Sequence, residues 1–474
     1  MAGPFVLTLR LAVPLLLALA ACTGTVSGQP RPATVSATAG ATAGATAGPG
    51  ASCAARAEPD PARPRVTLQF DIGSDLSTVH GREQVSFTPD RPVTELVFRL
   101  TANTASSVAA GNRVVVTAAT ADHGAGAPTY SLAGAGPGTQ GGLLHIPFPA
   151  PLAAGTTVSA DLSFDLTLGD ADFDRFGRAG GFAWFGSGQP LLAWQRGVGW
   201  RSEPLAQVPG ESATSEAMQA DLSVTAPSPL TVVMSGDPTT STPAGDGRAR
   251  WHAVIATARD VSVAVGPFTV SDTQVDGVAL RVAAYDTAHR DQLVPYFRRA
   301  ITELVRRFGP FPFPNLSVAR VPAEGGGIEY PSSILMLDGG NLVSVHETAH
   351  QYFYAMVGNN QAVHPWLDEA FATYAEQEID GEREKPDVLA RPGAVDRSLL
   401  DYGRDADAYF RITYDKGAAA LQAARATDPS GFDAALRCYV SVNAWRVAEP
   451  GDVAQALAGQ PAALAVLTRA GALP

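Results

Sequence analysis

The sequence has very few lysines and, beyond its first residues, no long apolar run. Only Lys385 and Lys416 occur among 474 residues, and arginine carries the rest of the positive charge. The formal net charge is −12 and there is no basic stripe, which argues against a nucleic-acid partner. The lack of a second long apolar run excludes a membrane-spanning helix from the body of the chain. An apolar content of 46% predicts globular domains, and the length predicts two or three of them.

The first residues predict export. Arg10 precedes an apolar run at residues 11–21, which is too short to span a bilayer comfortably and is typical of a signal peptide. The run ends in Leu-Ala-Ala-Cys at Cys22, which resembles the bacterial lipobox, where the cysteine becomes the acylated N-terminus. This resemblance implies a signal peptide over residues 1–22 and a protein anchored by lipid to the outer face of the cell membrane. The alternative is an ordinary secretory signal with a chance cysteine.

Residues 23–64 are of low complexity and predict a linker. Ala-Thr-Ala-Gly occurs three times in succession, and Ala and Pro dominate after it. Such a composition cannot bury a core, so we expect a flexible tether. If Cys22 is acylated, Cys53 and Cys438 remain. An exported protein permits a disulfide between them, but the sequence leaves their pairing open.

Two patterns of apolar residues divide the rest of the chain. Between residues 65 and 270, short runs alternate apolar and polar residues and are separated by Gly, Pro, Asn and Asp, which predicts an all-β domain, sandwich-like or saddle-shaped. Helical periodicity begins near Ala288. After strand-like runs at residues 316–321 and 334–337, the pattern predicts helices for most of the remaining chain. Residues 271–474 are therefore expected to form an α+β domain that ends in helices.

His346, Glu347 and His350 stand in the string Val-His-Glu-Thr-Ala-His. Residues four apart share one face of a helix, so the two histidines can point their imidazoles at one metal ion. Glu347 can reach a water on that metal and act as its general base. Eighteen residues separate His350 from Glu369, a gap that fits the rest of one helix, a turn and a second helix carrying a third ligand. Three protein ligands and an open fourth position predict one catalytic Zn²⁺ per chain.

Several strings together resemble the M1 family of zinc aminopeptidases. The His-Glu-Thr-Ala-His string, the gap and Trp-Leu-Asp-Glu-Ala-Phe around Glu369 match the family, whereas thermolysin has a gap one residue longer. Gly-Gly-Ile-Glu-Tyr from Gly326 is similar to the family's Gly-x-Met-Glu-Asn exopeptidase motif, and Tyr-Asp-Lys-Gly from Tyr414 is similar to its Tyr-x-Lys-Gly segment. The resemblance covers about residues 65–474 and implies a thermolysin-like catalytic domain after the β domain.

The resemblance also implies roles for individual residues. The implied set is zinc ligands His346, His350 and Glu369, general base Glu347, oxyanion donor Tyr414, and Glu329 with Gly326 and Gly327 at the free α-amine of a peptide. A buried carboxylate suits an ammonium group, and a phenol is a neutral donor up to high pH. Glu376, further along the helix of Glu369, is a candidate to hold a metal-binding histidine from behind; a surface carboxylate is the alternative.

Two features depart from the family pattern. Tyr330 stands where the motif has asparagine, and Ile328 stands where it has methionine. The chain ends about 60 residues after Tyr414, so we expect a cleft more open than in larger members, which have a long C-terminal helical domain. The expected function is a zinc metallopeptidase that releases N-terminal residues from peptides. Two alternatives stay open, a zinc peptidase of broad or internal cleavage and a zinc-containing envelope binding protein without turnover.

Overall fold

The computed structural model describes residues 53–170, 175–210, 214–236, 240–323, 325–337, 340–383 and 386–474. The predicted signal peptide, Cys22 and the linker up to residue 52 lie outside this part of the chain. The described residues belong to one compact unit. Within them, no helix is both long enough and apolar enough to cross a membrane.

The first part of the chain is built from strands whose side chains alternate between buried and exposed, as in Thr78–Phe87. The largest sheet has seven strands, in the spatial order Ser241–Gly245, Arg248–Ala258, Met218–Pro227, Arg65–Ile72, Thr78–Phe87, Val158–Thr167 and Arg113–Ala121. Neighbours in this sheet are antiparallel, except that Arg65–Ile72 runs parallel to Met218–Pro227.

Smaller sheets complete this β region. One four-stranded sheet has the order Leu191–Leu192, Val93–Arg99, Leu143–Leu152 and Thr129–Ser131, the other has the order Thr231–Met234, Ser262–Gly266, Phe182–Gly186 and Phe176–Ala179, and a hairpin pairs Trp194–Gln195 with Gly199–Trp200. Apolar side chains from the three larger sheets meet in one core. Each sheet therefore buries one face against the others, and the prediction of an all-β N-terminal region is confirmed.

A five-stranded mixed sheet opens the second part of the chain. Its order is Thr269–Val275, Val278–Ala284, Asn315–Arg320, Ser333–Met336 and Gly327–Tyr330. The three middle strands are parallel and the two outer strands antiparallel to their neighbours. Gly327–Tyr330, hereafter the edge strand, carries Glu329. An apolar cluster that includes Trp184 and Tyr330 packs this sheet against the β region.

Helices form most of the chain after residue 340. The α-helices are Ala105–Ala109, Thr287–Phe308, Asn341–Ala349, Glu369–Asp380, Pro386–Leu389, Ala406–Tyr409, Gly417–Thr427, Pro429–Val442, Pro450–Ala456 and Pro461–Ala470, with 3₁₀ turns at Thr101–Asn103, Pro365–Leu367 and Leu399–Tyr402 and a π-helical segment at Phe410–Lys416. Two short strands, Gly358–Asn359 and Val447–Ala448, pair in parallel. A mixed sheet followed by helices confirms the predicted α+β arrangement of this part.

The helix Thr287–Phe308 shows how local signals set its limits. The Asp286 carboxylate accepts a hydrogen bond from the His289 backbone N–H, which caps the first turn. The chain leaves the helix at Gly309, whose φ of 94° disfavours a residue with a side chain. The helix packs on the five-stranded sheet and on Asn341–Ala349, so it supports the candidate metal residues from behind.

The end of the predicted linker is bound to the C-terminal helices. Cys53 forms a disulfide with Cys438, so the pairing left open by the sequence is made. Ala57 adds a backbone hydrogen bond of 2.9 Å to the Ser441 carbonyl. Residues 53–64, the last part of the predicted linker, are therefore held against the folded part from Cys53 onward.

Candidate active site

The two histidines of the motif lie at the end of the helix Asn341–Ala349, hereafter the histidine helix. His346 is in its last turn and His350 is its C-cap residue, with helical φ and ψ of −61° and −15°. The two rings are 4.8 Å apart between centroids. Both side chains are largely shielded from solvent. The expected spacing of four residues therefore brings both imidazoles to one side of the helix.

The histidine helix ends sooner than the sequence suggested. The N–H groups of Gln351 and Tyr352 donate to carbonyls three residues back instead of four, which tightens and closes the last turn. Tyr354 then takes a positive φ of 120°. The gap before Glu369 consequently holds turns, a short strand and a 3₁₀ turn, and the expected continuation of the first helix is wrong.

Glu369 is the first residue of Glu369–Asp380, hereafter the glutamate helix. Asp368 accepts a hydrogen bond from the Glu369 backbone N–H at 2.9 Å and caps this helix. The Glu369 Oε2 atom lies 3.3 Å from His346 Nε2 and 3.4 Å from His350 Nε2. One carboxylate oxygen thus meets both imidazoles at a single point.

These separations fit a zinc ion. Tetrahedral zinc with bonds of about 2.0–2.1 Å spaces its ligand atoms about 3.3 Å apart. The ligand atoms of His346, His350 and Glu369 all lie within 4.8 Å of one another. Two imidazoles and a carboxylate are also a donor set that zinc takes in catalytic sites. All three side chains line the same cavity, so a substrate can reach the metal position.

Each histidine is held through its second ring nitrogen. His346 Nδ1 is 3.2 Å from the Oε2 atom of Glu376 on the glutamate helix. His350 Nδ1 is 3.1 Å from the Phe353 carbonyl oxygen. Contacts of this kind fix the tautomer and the orientation of metal-binding imidazoles. The structure therefore brings Glu376 to the place at which the sequence hypothesis expected it.

The electrostatics of the site favour a cation. Burial alone lowers the pKa of His346, but hydrogen bonds to Glu369 and Glu376 outweigh it and raise that pKa to about 9. Burial likewise opposes a charge on Glu369, yet the two imidazoles hold the pKa of its carboxyl below the ordinary value. Protons and a metal ion compete for these ligand atoms, so metal affinity is expected to fall in acid.

Glu347 and Glu329 lie together beside His350. Both carboxylates are buried, and ligand atoms of the three residues lie within 4.8 Å of one another. Gly327 makes this approach possible, because a Cβ at that position would lie 2.7 Å from Glu347 Oε1. At Gly326 a Cβ would meet nothing within 4 Å. The backbone therefore packs closely against Glu347 at Gly327 and not at Gly326.

The two departures from the family motif fall in different places. Tyr330 is 1% exposed, and its ring packs against Gly186 of the β region, where a Cβ would clash with it. It belongs to the cluster that joins the two sheets. Ile328 lines the cavity. Of the two substitutions, only Ile328 alters the described wall of the candidate site.

Tyr414 lies within Phe410–Lys416, hereafter the tyrosine segment. Its ring is parallel to that of His346, with 5.9 Å between centroids and 4° between planes. Tyr414 is partly buried and lines the cavity. The structure therefore brings together the candidate metal ligands, the candidate base and the candidate oxyanion donor, which are separated by as many as 68 residues in the sequence.

The residues after Tyr414 attach its segment to the rest of the site. Lys416 Nζ donates to the Arg391 carbonyl oxygen at 2.7 Å. A Cβ at Gly417 would lie 2.5 Å from the Cβ of Ala370, so glycine allows close packing against the glutamate helix. The Lys-Gly pair of the motif thus has a structural reason in this chain.

The candidate residues line one cavity of about 710 Å³. Glu329, Glu347, Glu369 and Glu376 contribute carboxylates to its wall. The β region also supplies lining residues, namely Thr104, Ser106, Arg175 and residues 206–210, hereafter the covering loop. The cavity is therefore formed by both parts of the described chain.

No protein-family model and no curated protein matches the sequence. Solved structures do match. An M1 zinc metallopeptidase from Deinococcus radiodurans is 21% identical with a TM-score of 0.64, over 86% of this chain and 92% of that one. A mutant of it bound to a Tyr-Ser-Ala substrate is 20% identical with a TM-score of 0.64, over 86% and 94%. A two-domain M1 zinc metallopeptidase mutant bound to L-arginine is 20% identical with a TM-score of 0.64, over 87% and 93%. This chain has the M1 zinc metallopeptidase fold.

Within the M1 fold, several residues that line the cavity could not be predicted from the sequence. Thr104 and Arg175 belong to no motif, and the sequence of the covering loop indicates only a short apolar turn between strands. Phe410, which is 42% exposed and lines the cavity beside Tyr414, has the pattern of an ordinary helix residue. The M1 architecture places these residues at the cavity through contacts distant in sequence, and no local signal marks them.

Proposed function

We propose that this chain is a zinc-dependent metallopeptidase that releases N-terminal residues from peptides. The observation that carries the proposal is the meeting of His346, His350 and Glu369 at one point beside the buried Glu347. The likeness in fold to zinc metallopeptidases, one of them bound to a Tyr-Ser-Ala substrate, supports it. The function rests on this site rather than on the fold, because one fold can host many activities.

The protein side of the reaction follows from the positions of its side chains. His346, His350 and Glu369 hold Zn²⁺, which when bound supplies water activation and polarises a carbonyl group. Glu347 takes the proton of the attacking water on its carboxylate and passes it to the leaving amine. Tyr414 donates its phenol O–H to the oxygen that becomes negative as the water attacks.

In this proposal, Glu329 determines that the first peptide bond is the one cleaved. Its buried carboxylate binds the ammonium group of a free N-terminus. One residue of extended chain spans about 3.3–3.6 Å. The Glu329 carboxylate lies within 4.8 Å of the ligand atoms of Glu347 and His350, so an amine held by Glu329 places the first peptide bond next to the base.

A panel of fluorogenic aminoacyl substrates tests the proposal. Hydrolysis should occur, should stop when a chelator removes zinc, and should return when stoichiometric Zn²⁺ is added. Absence of hydrolysis across the panel in protein that contains one zinc per chain would reject the peptidase function and favour a non-catalytic zinc protein.

We further propose that the enzyme is exported and lipid-anchored through Cys22. The support is the Leu-Ala-Ala-Cys string after a short apolar run. Because the described chain is bound from Cys53 onward, the anchor would connect through no more than the residues between Cys22 and Cys53. The wild-type protein should partition into detergent phase and the Cys22→Ser variant into the aqueous phase. Equal partitioning of both would reject acylation.

A further inference from the structure

Tyr409, the residue before the tyrosine segment, contacts the ring of Tyr414 edge to face. The two centroids are 5.4 Å apart and the planes meet at 87°. This is a favoured geometry for aromatic pairs. Tyr409 is 1% exposed, and it is not among the described residues that line the cavity. Tyr409 therefore contacts Tyr414 from the protein interior, not from the cavity, and does not reach a substrate.

The π-helical turn explains why these two rings meet. In an α-helix, residues five apart point about 140° away from each other, because each residue turns the chain by about 100°. A π-helical turn closes bonds between residues five apart and so brings them onto one side. Phe410–Lys416 is π-helical, and Tyr409 and Tyr414 are separated by this interval. The irregular helix thus has a specific consequence for the orientation of Tyr414.

Tyr409 is itself held from two directions. The Tyr402 ring lies 5.5 Å away between centroids. Tyr409 also faces Gly210 of the covering loop, where a Cβ would lie 3.0 Å from the Tyr409 hydroxyl oxygen and 3.2 Å from its ring carbons Cε1 and Cζ. Apolar residues of the covering loop and of the helical region form one cluster around these rings. A chain of contacts therefore runs from the β region through Tyr409 to Tyr414.

We propose that Tyr409 is a positioning residue that holds the Tyr414 phenol in the orientation needed to stabilise the oxyanion, and that Gly210 sets the position of Tyr409. The inference rests on the proposed function, in which Tyr414 is the donor. Tyr409 lies outside the motif, and through it the β region is connected to the reaction centre.

Kinetics of single and double variants test the role. Because small misplacements of catalytic groups can cost about 100-fold in rate, Tyr409→Leu should lower kcat by about 10- to 100-fold and change KM by less than about twofold. Tyr409→Phe keeps the ring edge and should stay within about threefold of wild type. In a Tyr414→Phe background, Tyr409→Leu should cost less than about twofold more, since its effect passes through the missing hydroxyl. Equal losses in both backgrounds would overturn the proposal.

Tyr439→Leu is a matched control. Tyr439 is 2% exposed and packs against Phe371, away from Tyr414 in the described contacts. Its loss should lower the melting temperature while keeping kcat near wild type. If Tyr439→Leu lowered kcat as much as Tyr409→Leu, general loss of core packing would explain both, and the positioning role would be rejected.

A readout independent of turnover separates this inference from the proposed function. With 3-fluorotyrosine at position 414, the ¹⁹F resonance should move or broaden in Tyr409→Leu and Gly210→Ala and stay in place in Tyr409→Phe. An unchanged resonance in the first two variants refutes the inference, whatever the activity. Wild-type protein that binds zinc but hydrolyses nothing refutes the proposed function instead.

Discussion

Gly327 lies directly against the side chain of Glu347. A Cβ on Gly327 would come to 2.6 Å from the carboxyl carbon and 2.7 Å from Oε1 of Glu347, closer than real side chains pack. Gly326, its neighbour, has open space at the same position. The edge strand therefore acts as a wall that determines where the candidate base lies.

Gly327→Ala should displace Glu347 and reduce kcat by about 100-fold, because proton transfer depends on position within less than an ångström. Zinc content should remain at one ion per chain, since the three ligands lie on other elements. Gly326→Ala is the control for the position of Glu347: a Cβ at Gly326 meets nothing within 4 Å, so kcat should stay near wild type, although KM can change because Gly326 lines the cavity. Equal activity in the two variants would show that the base is not held by Gly327.

Glu347→Gln should lower kcat by about 10²- to 10⁴-fold, the usual contribution of a general base. The amide keeps the shape of the side chain, and Glu347 is outside the set of three ligands, so zinc should stay bound. Activity is to be measured with a fluorogenic aminoacyl substrate and zinc by atomic absorption. Turnover close to wild type would reject the assigned base.

Glu376→Gln should weaken zinc binding, in contrast to Glu347→Gln, which should lower kcat while zinc stays bound. Its carboxylate contacts His346 Nδ1 and the amide can keep only part of that interaction. Zinc affinity should fall about 10- to 100-fold, as for other groups that support metal-binding histidines. Competition with a fluorescent chelator measures the affinity, and saturating zinc should restore much of the activity. An unchanged zinc Kd would mean that the contact does not orient His346.

Much of the site could be predicted because its chemistry is local in sequence. Helical spacing alone predicts that His346 and His350 face one metal ion. Tyr414 is predicted from the similarity of Tyr-Asp-Lys-Gly to a short family segment. The alternating and helical patterns were likewise enough for the two parts of the fold. Each of these signals spans few residues and depends on backbone period or on the type of side chain.

Features that depend on packing between distant segments could not be predicted. The end of the histidine helix at Ala349 follows from the turns that lead to Glu369. The place of Tyr330 depends on Gly186, more than 140 residues earlier. Tyr330 is not among the described residues that line the cavity, so it gives no support to the alternative of internal cleavage. The Cys53–Cys438 pair likewise needed a fold to bring its ends together.

Glu83 provides a test of the β region apart from the site. Its side chain is buried on the core-facing side of the strand Thr78–Phe87, and burial raises the pKa of its carboxyl well above the ordinary value of 4.5. The folded state therefore holds a proton that the unfolded chain releases above about pH 4.5, so stability falls as pH rises from there toward the folded pKa. Glu83→Gln, which resembles the protonated acid, should raise the melting temperature at pH 7.

The effect of Glu83→Gln on stability should depend on pH. Near pH 4 the wild-type carboxyl is protonated in the folded state and largely so in the unfolded state, and the advantage of Glu83→Gln should shrink. Melting curves of both proteins between pH 4 and pH 8 measure the difference. A difference that is constant across this range, or that grows in acid, would contradict a buried proton on Glu83.

Cleavage of matched peptides tests the central claim most directly. Wild-type protein loaded with zinc is given Tyr-Ser-Ala and the same peptide with an acetylated N-terminus, and the Ser-Ala dipeptide that both release on cleavage of the first peptide bond is measured. Because Glu329 is proposed to bind the ammonium group, the free peptide should be cleaved at least about 100-fold faster, and Glu329→Gln should remove most of that preference. Equal rates for the two peptides in wild-type protein would contradict cleavage counted from the N-terminus.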